Sequence, residues 1–530
     1  MNESKSGERG GAALRGMGTR RGFLAGVAGG VGVAALAGVG AGAEAKAAEG
    51  EDAGWDAQAD VVVVGAGFGG LVAAASALDA GATVIVLEAS TRVGSSSLLS
   101  SGVMTTHGSN SVDELAANAP LTDKKLGRAF LDAWQPALDW LAQIGAPLAQ
   151  EQRDTSSGSY PIYRIGAEMA PAGNIAYAKF FEDYLVGKGA QIMLRTRAKE
   201  LVTSDGTVVG VRALGPDGAV RIGARQVVLA CGGTQNNKEM NVRYIAPYAD
   251  LMVSRGNPHN AGSGLLMAQA VGGVPSRSHG TFYGHPVPYG AEVTEDCDAW
   301  DENVVDDSWL ADVNDVFTVA QNSGAAYGIV VNLEGERFFD ETKDDLLLNQ
   351  AIAHQTFARA YEVVDASIRD AHTGANAAGE GDKLDLLEKW GAELLEADTL
   401  EGLADQLAAR GVHRANFLRT VAAYNAAVDA GTPGELEVPK ANADKAEKIE
   451  QGPFYAFAVV PGYSFSFGGV KTDGQGRVVD VCDDPIAGLW AIPGTAGGMQ
   501  YDTYIGVIST MTAMGHLAGT LAAQEALADA

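Results

Sequence analysis

The stretch VVVVGAGFGGLVAAASALDAGATVIVLEAS at residues 61–90 constrains the fold more than any other part of the chain. It opens with four valines, a continuous apolar run that is typical of a strand buried on both faces. The glycine pattern GxGxxG follows at Gly65, Gly67 and Gly70, and the sequence then predicts a helix over 71–80 and a second strand over 83–87. Glu88 comes directly after that second strand.

This order of elements indicates a pocket for one end of a dinucleotide. Glycines permit a tight turn and a close approach of a pyrophosphate to the helix N-terminus, where unpaired N–H groups and the helix dipole favour anions. Glu88 can accept hydrogen bonds from ribose hydroxyls. The glycine pattern alone is a weak signal in a glycine-rich chain, and a structural turn is the alternative. The dinucleotide interpretation is strong because a strand, a helix, a second strand and an acidic residue follow one another at the expected spacing.

A second loop of small residues, VGSSSLLSSGVM, occupies residues 93–104. Small side chains and hydroxyls suit a backbone that wraps around phosphates and a flat ring. Enzymes that use a nicotinamide cofactor do not usually carry such a loop at this place.

Composition narrows the classes of partner. The 530 residues suggest two domains or one domain with a large insertion, and the formal charge of −28 disfavours nucleic acid and anionic lipid as partners. The three cysteines (Cys231, Cys297 and Cys482) lie far apart without a CxxC motif, and the histidines show no HExxH spacing. We therefore expect no structural metal.

The N-terminal segment resembles a twin-arginine export signal. Arg20 and Arg21 precede an uncharged run over residues 22–43, and small residues around Ala45 and Ala47 suit a signal peptidase. We expect a cleaved signal at 1–47 and a polar leader at 48–58, with a retained anchor as the alternative. The mature chain would then act in the cell envelope, on the periplasmic or extracellular side of a bacterium.

The remainder of the chain divides into three parts. Hairpin turns at Asp205-Gly206 and Asp217-Gly218 predict a β-meander within residues 191–233. Residues 277–452 contain fewer glycine turns and predict helices near 345–370, 382–410 and 413–430, so we interpret them as an inserted second domain. The chain ends in a long helix that is predicted to begin near Ser509.

Taken in order, the motifs resemble those of the FAD-dependent fumarate reductase and 3-ketosteroid dehydrogenase superfamily. They are GAGFGG with Glu88, the loop at 94–102, VVLACGGTQNN (227–237), NAGSG (260–264), VVNLEGERFFDE (330–341) and FGGVKTDGQGRVVD…IAGLWAIPG (467–494). The resemblance implies an α/β fold class, with a Rossmann-like FAD-binding domain formed by residues 59–276 and 453–530. It also implies that residues 277–452 form an inserted α+β capping domain over the flavin.

The resemblance further implies FAD as the cofactor and a set of residues that contact it. The helix near Ser509 would point its positive end at the flavin and stabilise the reduced ring. The implied cofactor residues are Gly65, Gly67, Phe68, Gly69, Gly70, Glu88, Ala89, Ser95, Ser96, Ser97, Gly102, Ala198, Gly232, Gly233, Gly264, Gly494, Thr495, Ser509 and Thr510.

The substrate is constrained by residues that differ from the fumarate-reducing members. Those members hold a dianion with a His and two Arg, whereas the matching positions here fall on Phe465, Asp345 and Tyr504, and a gap of one residue would shift Asp345 to Asp344. His285 alone matches a further family histidine. Because an unpaired buried charge costs several kcal/mol, these replacements disfavour a dicarboxylate.

We therefore expect hydride transfer between flavin N5 and an activated C=C, as in an enone, unsaturated lactone, aryl-acrylate or steroid-like substrate. Tyr504 matches a ketosteroid dehydrogenase tyrosine that donates to a ketone oxygen, although a packed core tyrosine is the alternative. The candidates for proton exchange are Asp345, Asp344, Lys343 and Tyr501. His285 is either a substrate contact or a satisfied core histidine, and the Arg337–Glu341 pair is expected to fix the cap.

Electrons are expected to pass through a separate carrier such as a cytochrome, flavoprotein or quinol. Residues 48–58 leave no room for a haem domain between signal and FAD domain, and the absence of a second dinucleotide motif argues against NAD(P)H. The alternatives are a fumarate- or urocanate-type carboxylate reductase and a non-catalytic flavin electron carrier.

Overall fold

The computed structural model describes residues 54–155, 158–291, 296–375 and 381–528. The predicted export signal and most of the leader lie outside these ranges. The strands are β1 (Ala57–Val64), β2 (Val84–Leu87), β3 (Val103–Met104), β4 (Leu148–Thr155), β5 (Gly158–Ile165), β6 (Gln191–Met193), β7 (Arg197–Ser204), β8 (Thr207–Gly215), β9 (Gly218–Leu229), β10 (Val253–Ser254), β11 (Phe282–Tyr283), β12 (Pro286–Pro288), β13 (Ile329–Val331), β14 (Ala360–Asp365), β15 (Leu395–Ala397), β16 (Phe454–Tyr463), β17 (Phe465–Ser466), β18 (Arg477–Val479) and β19 (Pro485–Ala491).

The helices alternate with these strands along the chain. Across the described ranges, no helix has the length and apolar character that crossing a bilayer requires. The helices are α1 (Phe68–Asp79), α2 (Val112–Asn118), α3 (Lys124–Gln143), α4 (Ala172–Gly187), α5 (Lys238–Tyr244), α6 (Ser263–Ala270), α7 (Cys297–Asn303), α8 (Asp307–Val316), α9 (Asp345–Ala353), α10 (Ala366–His372), α11 (Leu386–Lys389), α12 (Leu400–Ala408), α13 (Arg414–Asp429) and α14 (Val507–Ala528).

The first sheet has the strand order β18-β19-β9-β1-β2-β6, and the hairpin strands β7 and β8 continue from β9. β1 pairs in parallel with both β2 and β9, with Val61 opposite Val84 on one side and Gln226 on the other. This confirms the strand–helix–strand unit predicted from residues 61–90. The turns at Asp205-Gly206 and Asp217-Gly218 are confirmed as well, because they join β7 to β8 and β8 to β9 in antiparallel pairs.

The long C-terminal helix α14 packs directly on α1. A Cβ atom on Gly519 would lie 2.2 Å from the Ala73 carbonyl oxygen, and one on Gly515 would lie 2.9 Å from the Gly69 carbonyl oxygen. The two backbones therefore approach as closely as glycine allows. α14 begins at Val507, two residues before the predicted start.

The second sheet has the order β10-β16-β14-β13, and β12 and β15 also pair with β16. Apolar residues of α9, α12 and α13 join the core formed with this sheet. The helix predicted over 345–370 is wrong in part, because β14 occupies Ala360–Asp365 within it. All six residues of β14 are buried between β13 and β16, which favours a strand over an amphipathic helix.

These two sheets confirm the predicted α/β class. β16 follows the predicted domain boundary at residue 452 and pairs with strands of the second sheet, opposite β14 and β12. The division of the chain into a cofactor domain and a cap stays a prediction.

Candidate functional site

The turn between β1 and α1 can be formed only with glycine. Gly65 has φ +108°, and a Cβ atom there would lie 2.3 Å from the Ala230 carbonyl oxygen. A Cβ atom on Gly70 would lie 2.0 Å from the Gly65 carbonyl oxygen. Gly67 occupies the N-cap position of α1 and makes no side-chain cap. Within the first turn of α1, the N–H of Phe68 donates to Ser97 Oγ at 3.5 Å, and the uncapped N-terminus of the helix suits a pyrophosphate.

Glu88 lies at the end of β2 and is 4% exposed. Its carboxylate accepts hydrogen bonds from the backbone N–H groups of Ala66 at 2.7 Å and Ser90 at 2.9 Å. Burial raises the pKa of Glu88, and these two hydrogen bonds oppose the rise. Each carboxylate oxygen has a remaining lone pair for a ribose hydroxyl, so the geometry fits the adenosine end of FAD.

A cleft of about 490 Å³ runs from this turn past the second small-residue loop to residues of β11 and α8. Most of the predicted cofactor residues line it. They are Gly65, Gly67, Gly69, Gly70, Glu88, Ala89, Ser95, Ser96, Ser97, Ala198, Gly232, Gly233 and Gly494.

The remaining predicted cofactor residues lie behind the lining: Phe68, Gly102, Gly264, Thr495, Ser509 and Thr510. Phe68 is fully buried against Tyr177, with ring centroids 5.1 Å apart. Thr495 donates to the carbonyl oxygen of Gly232 at 3.1 Å, and Ser509 donates to that of Thr105 at 2.8 Å. These residues support the walls of the cleft through other residues, and their direct contact with the cofactor stays a prediction.

Three aromatic rings stack at the far end of the cleft. The ring of Tyr283 lies 4.4 Å from that of Tyr504 and 4.9 Å from that of Phe465, with interplanar angles of 29° and 22°. All three residues line the cleft. The match of Phe465 to a family histidine stays a prediction, while Tyr504 borders the cleft rather than lying in a closed core.

A chain of hydrogen bonds leads away from this stack. The Tyr283 hydroxyl lies 3.0 Å from His285 Nε2, and His285 Nδ1 lies 2.5 Å from Asp345 Oδ2. Gln321 donates to the same carboxylate oxygen at 3.3 Å. Burial would raise the pKa of Asp345, but the hydrogen bond and charge of His285 outweigh it and lower that pKa. Asp345 is therefore ionised at neutral pH.

None of the four candidates for proton exchange lies in the lining of the cleft, and Asp345 reaches it only through His285. Asp344 caps α9 by accepting from the N–H of Leu346, and burial raises its pKa. Lys343 is exposed, and Tyr501 is 39% exposed. Among the acidic candidates, Asp345 is thus the one connected to the cleft.

Arg255, which follows β10, brings a cation to the aromatic end of the cleft. Its guanidinium donates to Ser464 Oγ at 3.0 Å and to the Phe317 carbonyl oxygen at 3.0 Å, while its buried Nε has no partner. No carboxylate of the described residues forms an ion pair with Arg255. Burial lowers the pKa of Arg255 to about 10, so the group stays charged at neutral pH.

The Arg337–Glu341 pair lies away from the cleft. Arg337 Nε and Nη2 donate to the two carboxylate oxygens at 2.8 and 2.6 Å, and Nη1 donates to the Val438 carbonyl oxygen at 2.7 Å. This bidentate, buried pair joins two segments of the second core, in agreement with the expected structural role.

Sequence reasoning missed Tyr283 and Arg255. Tyr283 and His285 are separated by one residue in extended chain, and this spacing places both side chains on one face. This alternation was the sequence signal that could have identified Tyr283 as a neighbour of His285. Arg255 stands five residues before the NAGSG motif, and no local pattern distinguishes it from a surface arginine.

The comparisons with known proteins agree with this geometry. The family model for the FAD binding domain matches residues 60–504. A fumarate reductase (cytochrome) of Shewanella frigidimarina is 28% identical over 493 residues, which cover 88% of this chain and 77% of the relative. A urocanate reductase of Eggerthella lenta is 24% identical over 498 residues, with coverage of 89% and 75%.

The crystal structure of a 3-ketosteroid Δ1-dehydrogenase from Sterolibacterium denitrificans shares the fold. It superposes with a TM-score of 0.70 at 20% identity and covers 88% of this chain and 99% of that one. The superfamily resemblance inferred from the motifs is thus confirmed, and so is FAD as the cofactor. The chain belongs to the FAD binding domain family, and it is an FAD-dependent oxidoreductase that acts on CH–CH groups.

Proposed function

We propose that the enzyme reduces the C=C bond of an α,β-unsaturated monocarboxylate that carries a flat apolar group. The observation that carries this proposal is Arg255, a cleft-lining guanidinium without a carboxylate partner among the described residues. A partly buried cation whose Nε lacks a partner is costly until an anion pairs with it. A substrate carboxylate would supply that partner, and the names of the fumarate and urocanate reductases among the relatives also denote unsaturated acids.

The charge around the cleft favours one carboxylate over two. Arg197 also lines the cleft, but it contacts His259 and follows Thr196, whose N–H donates to the Glu88 carbonyl oxygen at 2.7 Å. It therefore belongs to the end of the cleft assigned to the ribose. The aromatic end offers Arg255 together with the stacked rings of Tyr283 and Phe465, which suit a conjugated planar group.

The residues at the aromatic end of the cleft have distinct roles in the proposed reaction. Bound FAD in its reduced form supplies a hydride to the substrate. Arg255 holds the carboxylate and orients the double bond, and the aromatic stack excludes water from the reacting carbons. Arg255 and Tyr283 interact electrostatically, so a carboxylate held by Arg255 would lie near Tyr283.

A panel of unsaturated compounds with reduced viologen as electron donor tests the proposal. We expect turnover of cinnamate-like monocarboxylates and little turnover of fumarate. Arg255→Met should raise KM for the acids by roughly 100-fold, because a charge-assisted hydrogen bond to a carboxylate is lost, while Arg255→Lys should recover part of the affinity. FAD content, measured by absorbance, should be equal in all three proteins.

A neutral carbonyl compound is a second candidate, and Tyr504 favours it. Its hydroxyl lies at the start of α14, where burial raises its pKa and a hydrogen bond from the Val507 backbone opposes that rise. A neutral phenol can donate to a ketone oxygen of an enone. The same panel separates the two candidates, because Tyr504→Phe should then impair enones while Arg255→Met leaves them unaffected. Turnover of enones alone would contradict the monocarboxylate proposal.

We further infer that the electrons come from a separate carrier and that the chain is exported. The relative named fumarate reductase (cytochrome) supports a carrier of that general kind. Arg20 and Arg21, which precede an uncharged run, support export by the twin-arginine route. Replacing both arginines by lysine should retain the protein in the cytoplasm, and unchanged fractionation would contradict export by this route.

A further inference from the structure

A linear hydrogen-bonded chain of a phenol, an imidazole and a carboxylate connects the cleft to its outer wall. It runs from the Tyr283 hydroxyl through His285 to Asp345, with distances of 3.0 and 2.5 Å. The side chain of His285 is 14% exposed and that of Asp345 is 36% exposed. The inner end thus faces the substrate site, and the outer end reaches toward water.

The backbone holds the first two members in line. A Cβ atom on Gly284 would lie 1.8 Å from the Gly462 carbonyl oxygen, so the segment between β11 and β12, which connects Tyr283 to His285, lies directly against β16. The Gly462 N–H donates to the His285 carbonyl oxygen at 3.1 Å. Asp345 begins α9 and is held from its other side by Gln321. The three members of the hydrogen-bonded chain thus come from two separate segments, and Gln321 supports it from a third.

The charges suit a phenol that gives up its proton only during the reaction. Burial raises the pKa of Tyr283. The nearby Tyr504, Asp345 and Asp344 raise the same pKa further, whereas the charge of Arg255 lowers it. Tyr283 is therefore a neutral donor in the resting enzyme. The guanidinium of Arg255 is placed to stabilise a phenolate as it forms.

We propose that Tyr283 is the proton donor of the reduction and that His285 and Asp345 form the relay that reprotonates it; this rests on the proposed reduction of an unsaturated acid. Bound, reduced FAD would supply the hydride for the β-carbon, and Tyr283 would give its proton to the α-carbon, so that both new C–H bonds are accounted for. As the O–H bond of Tyr283 breaks, His285 passes the proton on Nε2 to the phenolate oxygen. Water then restores the proton of His285, and Asp345 keeps the imidazole oriented.

The variant Tyr283→Phe tests the donor because it removes the hydroxyl and retains the stacked ring. Reduction of the monocarboxylate that the wild type turns over best should fall by about 100-fold in kcat, with KM unchanged. FAD content and the rate of flavin reduction by viologen without substrate should stay equal to those of the wild type. Tyr289→Phe, which changes an exposed tyrosine directly after β12, is the matched control and should keep full activity.

Asp345→Asn tests the relay as a positioning group. It should lower kcat without changing KM and should alter the solvent deuterium isotope effect on kcat, which a merely structural role would not move. If the wild type is active and Tyr283→Phe keeps its kcat and isotope effect, the donor assignment is wrong and the reduction itself stands. If the wild type reduces no acid of the panel, the proposed function is wrong, and the relay is wrong with it.

Discussion

Glu362 is a buried carboxyl group on β14 whose protonation couples the stability of the second sheet to pH. It is 2% exposed, and Ser323 Oγ donates to it. Burial raises the pKa of Glu362 from 4.5 to about 8. Because the folded state binds the proton more tightly than the unfolded state does, the stabilisation is complete below pH 4.5 and is lost as pH rises through about 8.

Glu362→Gln should remove this dependence, because glutamine resembles the protonated acid. We expect the variant to be more stable than the wild type above pH 8 and to differ little from it near pH 5. The thermal midpoint of both FAD-loaded proteins, measured at intervals from pH 5 to 9, gives the difference curve directly. A difference that stays flat across this range would show that Glu362 is ionised in the folded protein.

At single positions, the sequence predicted what local backbone geometry demands. Gly65, Gly70 and Glu88 follow from a strand–turn–helix whose steric requirements are contained within thirty residues of chain. Tyr283 and Arg255 could not be found in this way, since they reach the cleft through contacts with segments more than sixty residues away, such as Phe317 and Ser464. The role of Asp345, which was predicted from motif spacing, stays a prediction, and its hydrogen bond to His285 was not foreseen.

Among the elements, α14 and α1 depend on glycine where their backbones touch. Gly519→Val should separate the helices, because a Cβ atom there would lie 2.2 Å from the Ala73 carbonyl oxygen. We expect a loss of about 1–3 kcal/mol of stability or more, together with partial loss of FAD, since the first turn of α14 borders the cleft. Thermal melts and the ratio of flavin to protein absorbance measure both effects.

Gln524→Val is the control for that variant, because it places the same β-branched residue at an exposed position of the same helix. Gln524→Val lowers stability only through the poorer helix propensity of valine, by about 0.5 kcal/mol, because position 524 does not lie in the contact between the helices. If both variants melt alike, helix propensity rather than packing explains the loss. The need for glycine at these sites was not visible in the sequence, because α14 is rich in small residues throughout and its partner lies over four hundred residues away.

Helices and strands were predicted best where consecutive residues of the sequence already show which side chains are buried. β1, α1 and β2 were recognised from a buried run and a glycine turn. The strand β14 was instead predicted as helix. Its two edges pair with β13 and β16, and its residues are buried in the second core by segments that the local pattern does not reveal. An element buried on both sides lacks the polar face that distinguishes helix from strand.

For the whole molecule, the formal charge of −28 determines which electron donors can approach. Anionic NADH is repelled by this field, whereas a cationic donor is attracted at long range. We expect the oxidised enzyme to be reduced rapidly by the reduced, cationic methyl viologen and only slowly by NADH in anaerobic stopped-flow experiments. The rate of reduction by viologen should fall as ionic strength rises from 0.01 to 0.5 M, because the Debye length shrinks over this range from about 30 Å to under about 10 Å.

The control is enzyme from which FAD has been removed and then restored. It should regain both reduction rates, which assigns them to the flavin. Rapid reduction by NADH, or a viologen rate indifferent to salt, would show that local features of the cleft rather than the net charge select the donor.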